Sequence, residues 1–371
     1  MIPSKLKKIL IIVSIILTII VTIFIIYFLF FRSGDDNNIN STINSPVEDN
    51  NNDKKASILI EDEILDYTIS PSNEITYYKK SNGHTYTTNN QGSTPKLISD
   101  FNLNNLYKVE WAPSKPFVLI NLDSKFSVYN YIEKKSFPFP NDIFEVGFLS
   151  NNKIYYVIKN DIDLYDIVVS NEDGSNKTPI MVMMTDKVLL DSVPLTTNIS
   201  QILSPPSAFR ESPLRIIDTI QKTASSNLEP KYGLNVSWSP TGENGIITYS
   251  SEKGGKTMYM SLIDNKGVEQ ISFKPIGTIA EKITWSRDGN IVYFTQPLVP
   301  NNKVMPDDYY DNKVGKFYEA LYKIDLTSFK VEILSKNIGL VDSRDLKLSA
   351  SGKEIFFINK NDNKLYKYSI E

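Results

Sequence analysis

The chain has no cysteine and a single histidine, His84, among 371 residues. The first absence removes disulfides, thiol nucleophiles, thiolate metal sites and a lipid-modified N-terminal cysteine together. The second removes any mechanism that needs two imidazoles. Neither charge is in excess: 40 Lys and Arg stand against 43 Asp and Glu. No dense basic run follows the N-terminal region, so the electrostatic footprint of a nucleic-acid binder is missing. There is no Gly-x-Ser-x-Gly nucleophile elbow. Gly254-Gly255-Lys256-Thr257 ends like a phosphate-binding loop, but Ser250 occupies the place of its first glycine, and a strand is expected to follow rather than a helix. No cofactor, no metal and no nucleic-acid partner is expected.

Long apolar runs are absent as well, with one exception. From Ile9 to Phe31 the chain carries no charge, and about 23 helical residues span roughly 35 Å, enough to cross a hydrocarbon core of ~30 Å. A cleaved signal peptide would have an apolar region of about 7–15 residues and small residues at its cleavage site. This run is longer and ends Tyr27-Phe28-Leu29-Phe30-Phe31-Arg32, which favours an uncleaved signal anchor. Lys5, Lys7 and Lys8 precede it and Arg32 alone follows before Asp35 and Asp36. The positive-inside rule then places residues 1–8 in the cytoplasm, 9–31 across the cell membrane and the rest outside. Residues 32–55 are mostly Asn, Asp and Ser, too polar to offset their ordering entropy, and are expected to form a disordered linker.

Beyond Ala56 no long amphipathic helix is evident. Short runs of β-branched and aromatic residues alternate with turn residues, as in Lys153–Lys159 (KIYYVIK), Asn290–Thr295 (NIVYFT) and Glu354–Asn359 (EIFFIN). A repeat lies over this pattern. Trp238-Ser239-Pro240-Thr241-Gly242 and Trp285-Ser286-Arg287-Asp288-Gly289 each precede such a strand. Weaker copies begin at Ile69, Trp111, Phe148 and Leu348, so successive spacings are 42, 37, 90, 47 and 63 residues. The Trp-Ser-Pro-x-Gly signature with its following strand and Gly-turn hairpin resembles the repeats of TolB-like and related WD-type β-propellers. That resemblance implies an all-β domain over 56–371, built from four-stranded blades of roughly 40–45 residues. Seven blades fit the length best, with six as the alternative. The interval of 90 would hold two blades and that of 63 one blade with an insertion. The last repeat stops short at Glu371, so Ser57–Glu61 (SILIE) is expected to supply its outer strand and close the ring.

The three tryptophans, at equivalent repeat positions, read as packing between blades, and His84 as a residue of a hairpin tip. Two irregular stretches are the functional candidates, since long loops in compact domains are commonly functional. Gln296–Glu319 carries Asp307, Asp308, Tyr309, Tyr310, Asp311 and Tyr318, and the Pro-rich Pro194–Arg215 carries Phe209 and Arg210. Tyr-rich loops give large amphipathic contact area at low entropic cost. These features point first to a membrane-anchored module that binds a protein or an envelope polymer, and the balance falls against an enzyme. The alternative is a glycan hydrolase or lyase with paired carboxylates in the central funnel. Carboxylates from different blades converging in the channel would distinguish the two.

Overall fold

The computed structural model describes residues 54–101, 106–122, 125–273, 276–300 and 302–370. The apolar run 9–31 and nearly all of the linker lie outside these. Among the described residues no helix is long and apolar enough to cross a membrane.

Seven four-stranded antiparallel sheets follow one another along the chain. Their inner strands are Ile64–Ile69, Leu106–Trp111, Ile143–Phe148, Val188–Ser192, Asn235–Trp238, Ile283–Trp285 and Ser343–Leu348, which begin blades 1 to 7. Each sheet is a meander from inner to outer edge. The exception is blade 7, whose outer strand is Ser57–Ile60, antiparallel to Lys364–Ser369 with Ser57 opposite Lys367. The expected closure by SILIE is therefore present, and seven is the blade count. Blade 4 is the one without a signature: its inner strand runs into Val193-Pro194 where blade 5 has Trp-Ser-Pro. Blade 6 carries the insertion, between Ile291–Pro297 and Glu319–Asp325.

The second strands read as unbroken apolar runs because neighbouring blades cover both of their faces. Ile154, Tyr155, Tyr156 and Val157 in blade 3 are all buried. The core is accordingly a ring of layers between blades. One layer joins Tyr155, Val157 and Ile167 of blade 3 to Val188, Ile199 and Ile217 of blade 4, each full burial being worth about 1.5–3 kcal/mol. The signature tryptophans lock adjacent blades: Trp238 Nε1 donates to Ser200 Oγ of blade 4 at 2.9 Å, and Trp285 Nε1 to Ser237 Oγ of blade 5 at 3.1 Å. Trp111 packs between Tyr78 and Tyr131.

The glycine of the signature turn has two separate jobs. Gly242 and Gly352 both have positive φ, +67° and +74°. A Cβ on Gly352 would meet nothing within 4 Å, whereas one on Gly242 would lie 1.8 Å from the Pro194 carbonyl oxygen of blade 4. Gly352→Ala is therefore expected to cost only the left-handed penalty, about 1–2 kcal/mol. Gly242→Ala adds an overlap with backbone, on the order of 1–3 kcal/mol more. Urea unfolding of the two variants checks this. Equal losses would mean that the contact between turns of blades 4 and 5 contributes nothing.

Candidate active site

Inner strands line the central channel of a propeller, and here register shifts break their alternation: Ile64–Ile69 and Ser343–Leu348 each bury one residue in three. Six of the seven inner strands, or the turns leading into them, carry a carboxylate: Asp66, Glu110, Glu145, Asp191, Glu281 and Asp345. Blade 5 has Asn235 instead. Glu110, Glu145, Asp191 and Asn235, from four successive blades, line one cavity of about 200 Å³. An adjoining cavity of about 430 Å³ shares Asp191 and Asn235 with it and adds Glu281 of blade 6.

Tyr155 sits among the first three carboxylates because of a glycine. It pairs across the sheet with Gly147, and a Cβ at Gly147 would lie 2.2 Å from the Tyr155 hydroxyl. Without that side chain the phenol crosses the inner strand and donates to the Leu190 carbonyl of blade 4 at 3.0 Å. Burial first, then the charges of Glu110, Asp191 and Glu145, push its pKa far up. It is a neutral phenol at any working pH. Glu110 Oε1 also accepts the Phe148 N–H of the next blade at 3.0 Å, which fixes this carboxylate across the blade boundary.

Glu281 occupies the 3₁₀ turn Ala280–Lys282 that leads into blade 6. Its Oε1 accepts the Tyr310 hydroxyl at 2.7 Å, while its Oε2 is buried with no hydrogen-bond partner among the described residues. Burial raises its pKa; the Tyr310 hydrogen bond and the Lys282 ammonium pull it back, and Asp345 adds to the rise. Asp191, by contrast, is exposed to the channel. The wall between blades 7 and 1 is paired internally: Lys347 Nζ lies 3.4 Å from Asp66 and 4.3 Å over the Tyr67 ring, and Arg344 binds Asp345 at 2.8 Å. Burial pushes Asp66 up to about 6 against the pull of Lys347.

The two irregular stretches singled out from sequence meet. Gln296–Glu319 links the second and third strands of blade 6, whereas Pro194–Arg215 contains the second strand of blade 4, Asn198–Leu203, so only its part 204–214 is a link; the two links leave the same face of the ring. Asp307, in the one-turn helix Asp307–Tyr310, accepts the Ser207 hydroxyl and the Ala208 N–H, both at 2.6 Å. The corresponding hairpin of blade 5 joins them: Gly254 N–H donates to Ala208 O at 2.7 Å and Met305 N–H to Gly255 O at 3.2 Å. Together they form a cap over three blades, a surface able to engage a ligand or a protein. Asp308 turns inward to accept Val304 N–H at 2.8 Å. Tyr309 is buried, its hydroxyl 2.8 Å from Asp342, so it is part of the packing rather than of the contact surface. Tyr310 reaches the channel carboxyl. Asp311 pairs with Lys313 in solvent at 2.6 Å, and Tyr318 is half exposed. Phe209, also half exposed, lies against Gly254, and Arg210 donates to Pro205 O at 2.5 Å. Asp311, Tyr318 and Arg210 are not brought into one group.

The channel carboxylates were missed as site residues, although a signal existed. The repeat signature marks the end of each inner strand, and a carboxylate stands one or three places before its first apolar residue in blades 1, 2, 3 and 7. Glu110 stands one before Trp111 and Glu145 three before Phe148. Among the described residues no group of three or more His, Cys, Asp or Glu side chains is placed to hold a metal ion.

No family model matches the chain, and no curated protein matches it in sequence. The TolB-like and WD-type likeness therefore stays at the level of the propeller plan. Solved structures share the fold. An oligogalacturonate lyase in complex with manganese superposes with a TM-score of 0.60 at 9% identity, over 85% of this chain and 93% of its own. An oligogalacturonate lyase from Vibrio parahaemolyticus does so with 0.60 at 8%, over the same shares. A streptogramin B lyase gives 0.52 at 10%, over 84% of this chain and 94% of its own. Identities this low show a common architecture. Carboxylates of several blades do converge in one cavity, the arrangement that distinguishes the enzyme alternative, so the expectation that the balance falls against an enzyme is corrected.

Proposed function

We propose that the chain is a glycan-cleaving enzyme, a hydrolase or lyase working in the propeller channel, held at the outer face of the membrane by its apolar N-terminal run. The observation that carries this reading is the pair Asp191 and Glu281, from different blades, on the walls of one cavity. Their environments differ as an acid and base pair requires. Burial raises the pKa of Glu281, while Asp191 stands exposed. In hydrolysis Asp191 takes a proton from water as its oxygen bonds to the sugar carbon. The glycosidic C–O bond breaks, and Glu281 gives its proton to the leaving oxygen. Walls lined with carboxylates favour a substrate that brings hydroxyl or amino donors over one that brings carboxylates.

The test is incubation of the purified protein with neutral, amino-bearing and uronate oligosaccharides. A new reducing end without an unsaturated sugar indicates hydrolysis, and one with it indicates elimination. No cleavage of any of the three classes would remove the reading. Protease treatment of intact cells, digesting the propeller but sparing a cytoplasmic marker, checks the outward orientation.

A further inference from the structure

We infer that Tyr310 is the positioning residue for Glu281, which makes the blade-6 insertion part of the catalytic site rather than a docking loop. This rests on Glu281 being the acid. The Tyr310 hydroxyl is 2.7 Å from Glu281 Oε1, and the Asn235 side-chain amide of blade 5 is 3.5 Å from the same oxygen. One carboxyl oxygen is thereby engaged, and the other, Oε2, is buried with no hydrogen-bond partner among the described residues. A carboxyl without Tyr310 could rotate and present either oxygen.

The insertion is built to hold Tyr310 still. Asp307, three residues earlier, is tied to Ser207 and Ala208 of blade 4. Tyr309, beside it, is tied to Asp342 of blade 7, and its ring covers the Lys282 ammonium at 5.1 Å. The Tyr309 and Tyr310 rings meet edge to face at 5.6 Å. One short helix thus joins blades 4, 6 and 7 and aims one hydroxyl at the channel. The groups that face Glu281 come from every surrounding element. They are Tyr310 and Tyr309 from the insertion, Asn235 from blade 5, Asp191 across the cavity from blade 4, Asp345 from blade 7, and Lys282 on its own turn. Of these, Tyr310 alone has a hydroxyl bonded to the carboxyl.

The experiment is an infrared titration of the full-length chain in detergent. The carboxyl band of Glu281 is isolated as the difference between wild type and Glu281→Gln. Tyr310→Phe keeps the ring and its packing but removes a donor that favours the ionised form. The Glu281 midpoint should therefore rise by about one pH unit. The alkaline limb of the pH–kcat profile should move up with it, while KM changes less than about two-fold. Tyr309→Phe removes a neighbouring hydroxyl bonded elsewhere and should leave the midpoint in place. An unchanged midpoint in Tyr310→Phe overturns the inference, as do equal shifts in both variants, which would indicate general loosening of the cap. A shift confined to Tyr310→Phe in a protein that cleaves no glycan sustains the positioning bond and removes the acid role.

Discussion

Glu281→Gln is expected to slow glycan cleavage by about 10²–10⁴-fold while leaving the protein folded, and Asp191→Asn to do the same. The amide keeps an oxygen to accept the Tyr310 hydroxyl, so the geometry of the turn survives and only the transferable proton is lost. Stability separates this loss from damage to the fold. The folded-state pKa of Glu281 is raised above its ordinary value of 4.5, chiefly by burial. A carboxyl of that kind favours the fold when protonated, and its contribution is lost as pH rises through the folded-state value. Gln cannot ionise. Glu281→Gln should therefore match wild type in urea near pH 4 and be the more stable of the two near pH 8, while being far less active at both. A variant that loses activity and stability together at pH 8 would show that the carboxylate is structural. Wild-type rates in both single variants would take the chemistry out of this cavity.

Much of the architecture was legible because a propeller writes itself repeatedly. Each copy of the signature turn follows an inner strand and precedes a second, and the spacing with the length favoured seven blades over six even across blade 4, which lacks the signature. Ring closure by Ser57–Ile60 was legible for a complementary reason: the last repeat ended one strand short. The site was less visible. Gln296–Glu319 and Pro194–Arg215 stood out as irregular, but their meeting depends on one carboxylate, Asp307, reaching a blade two positions away in the ring. Sequence distance gives no hint of that. Tyr309 and Tyr310 are adjacent and chemically alike, yet one is a buried strut and the other faces the channel; only the helix that carries them decides which. Glu281 was harder still. It lies in a 3₁₀ turn ahead of the strand, outside the stretch whose end the repeat signature marks.

The largest effect on stability is expected at the residue next to Glu281. Lys282 is fully buried, and its ammonium meets Glu319 at 2.6 Å, Asp342 at 2.7 Å and the Ser343 carbonyl at 2.7 Å. All three donor hydrogens are used. Glu319 also takes the Ser343 hydroxyl at 2.5 Å, and Asp342 takes that of Tyr309 at 2.8 Å. The network ties the turn of blade 6 to its own third strand and to the entry of blade 7. It thereby fixes the backbone from which Glu281 projects. Lys282→Met fills similar volume but leaves two buried carboxyls without their cation, a change that costs about 3–5 kcal/mol. The pH dependence follows from the groups that remain. Burial already raises Glu319, and the Lys282 ammonium is the first of the influences that lower it. Without that ammonium the folded-state pKa rises further, so the fold loses stability as pH climbs. The deficit in urea should be larger at pH 8 than at pH 5. Adding Glu319→Gln removes one of the stranded charges, so the double variant should recover part of the loss at pH 8 and little at pH 5. A Lys282→Met protein within about 1 kcal/mol of wild type at pH 8 would show that neither blade junction depends on the charge. In that case Glu281 would have to be held by Tyr310 and Asn235 alone.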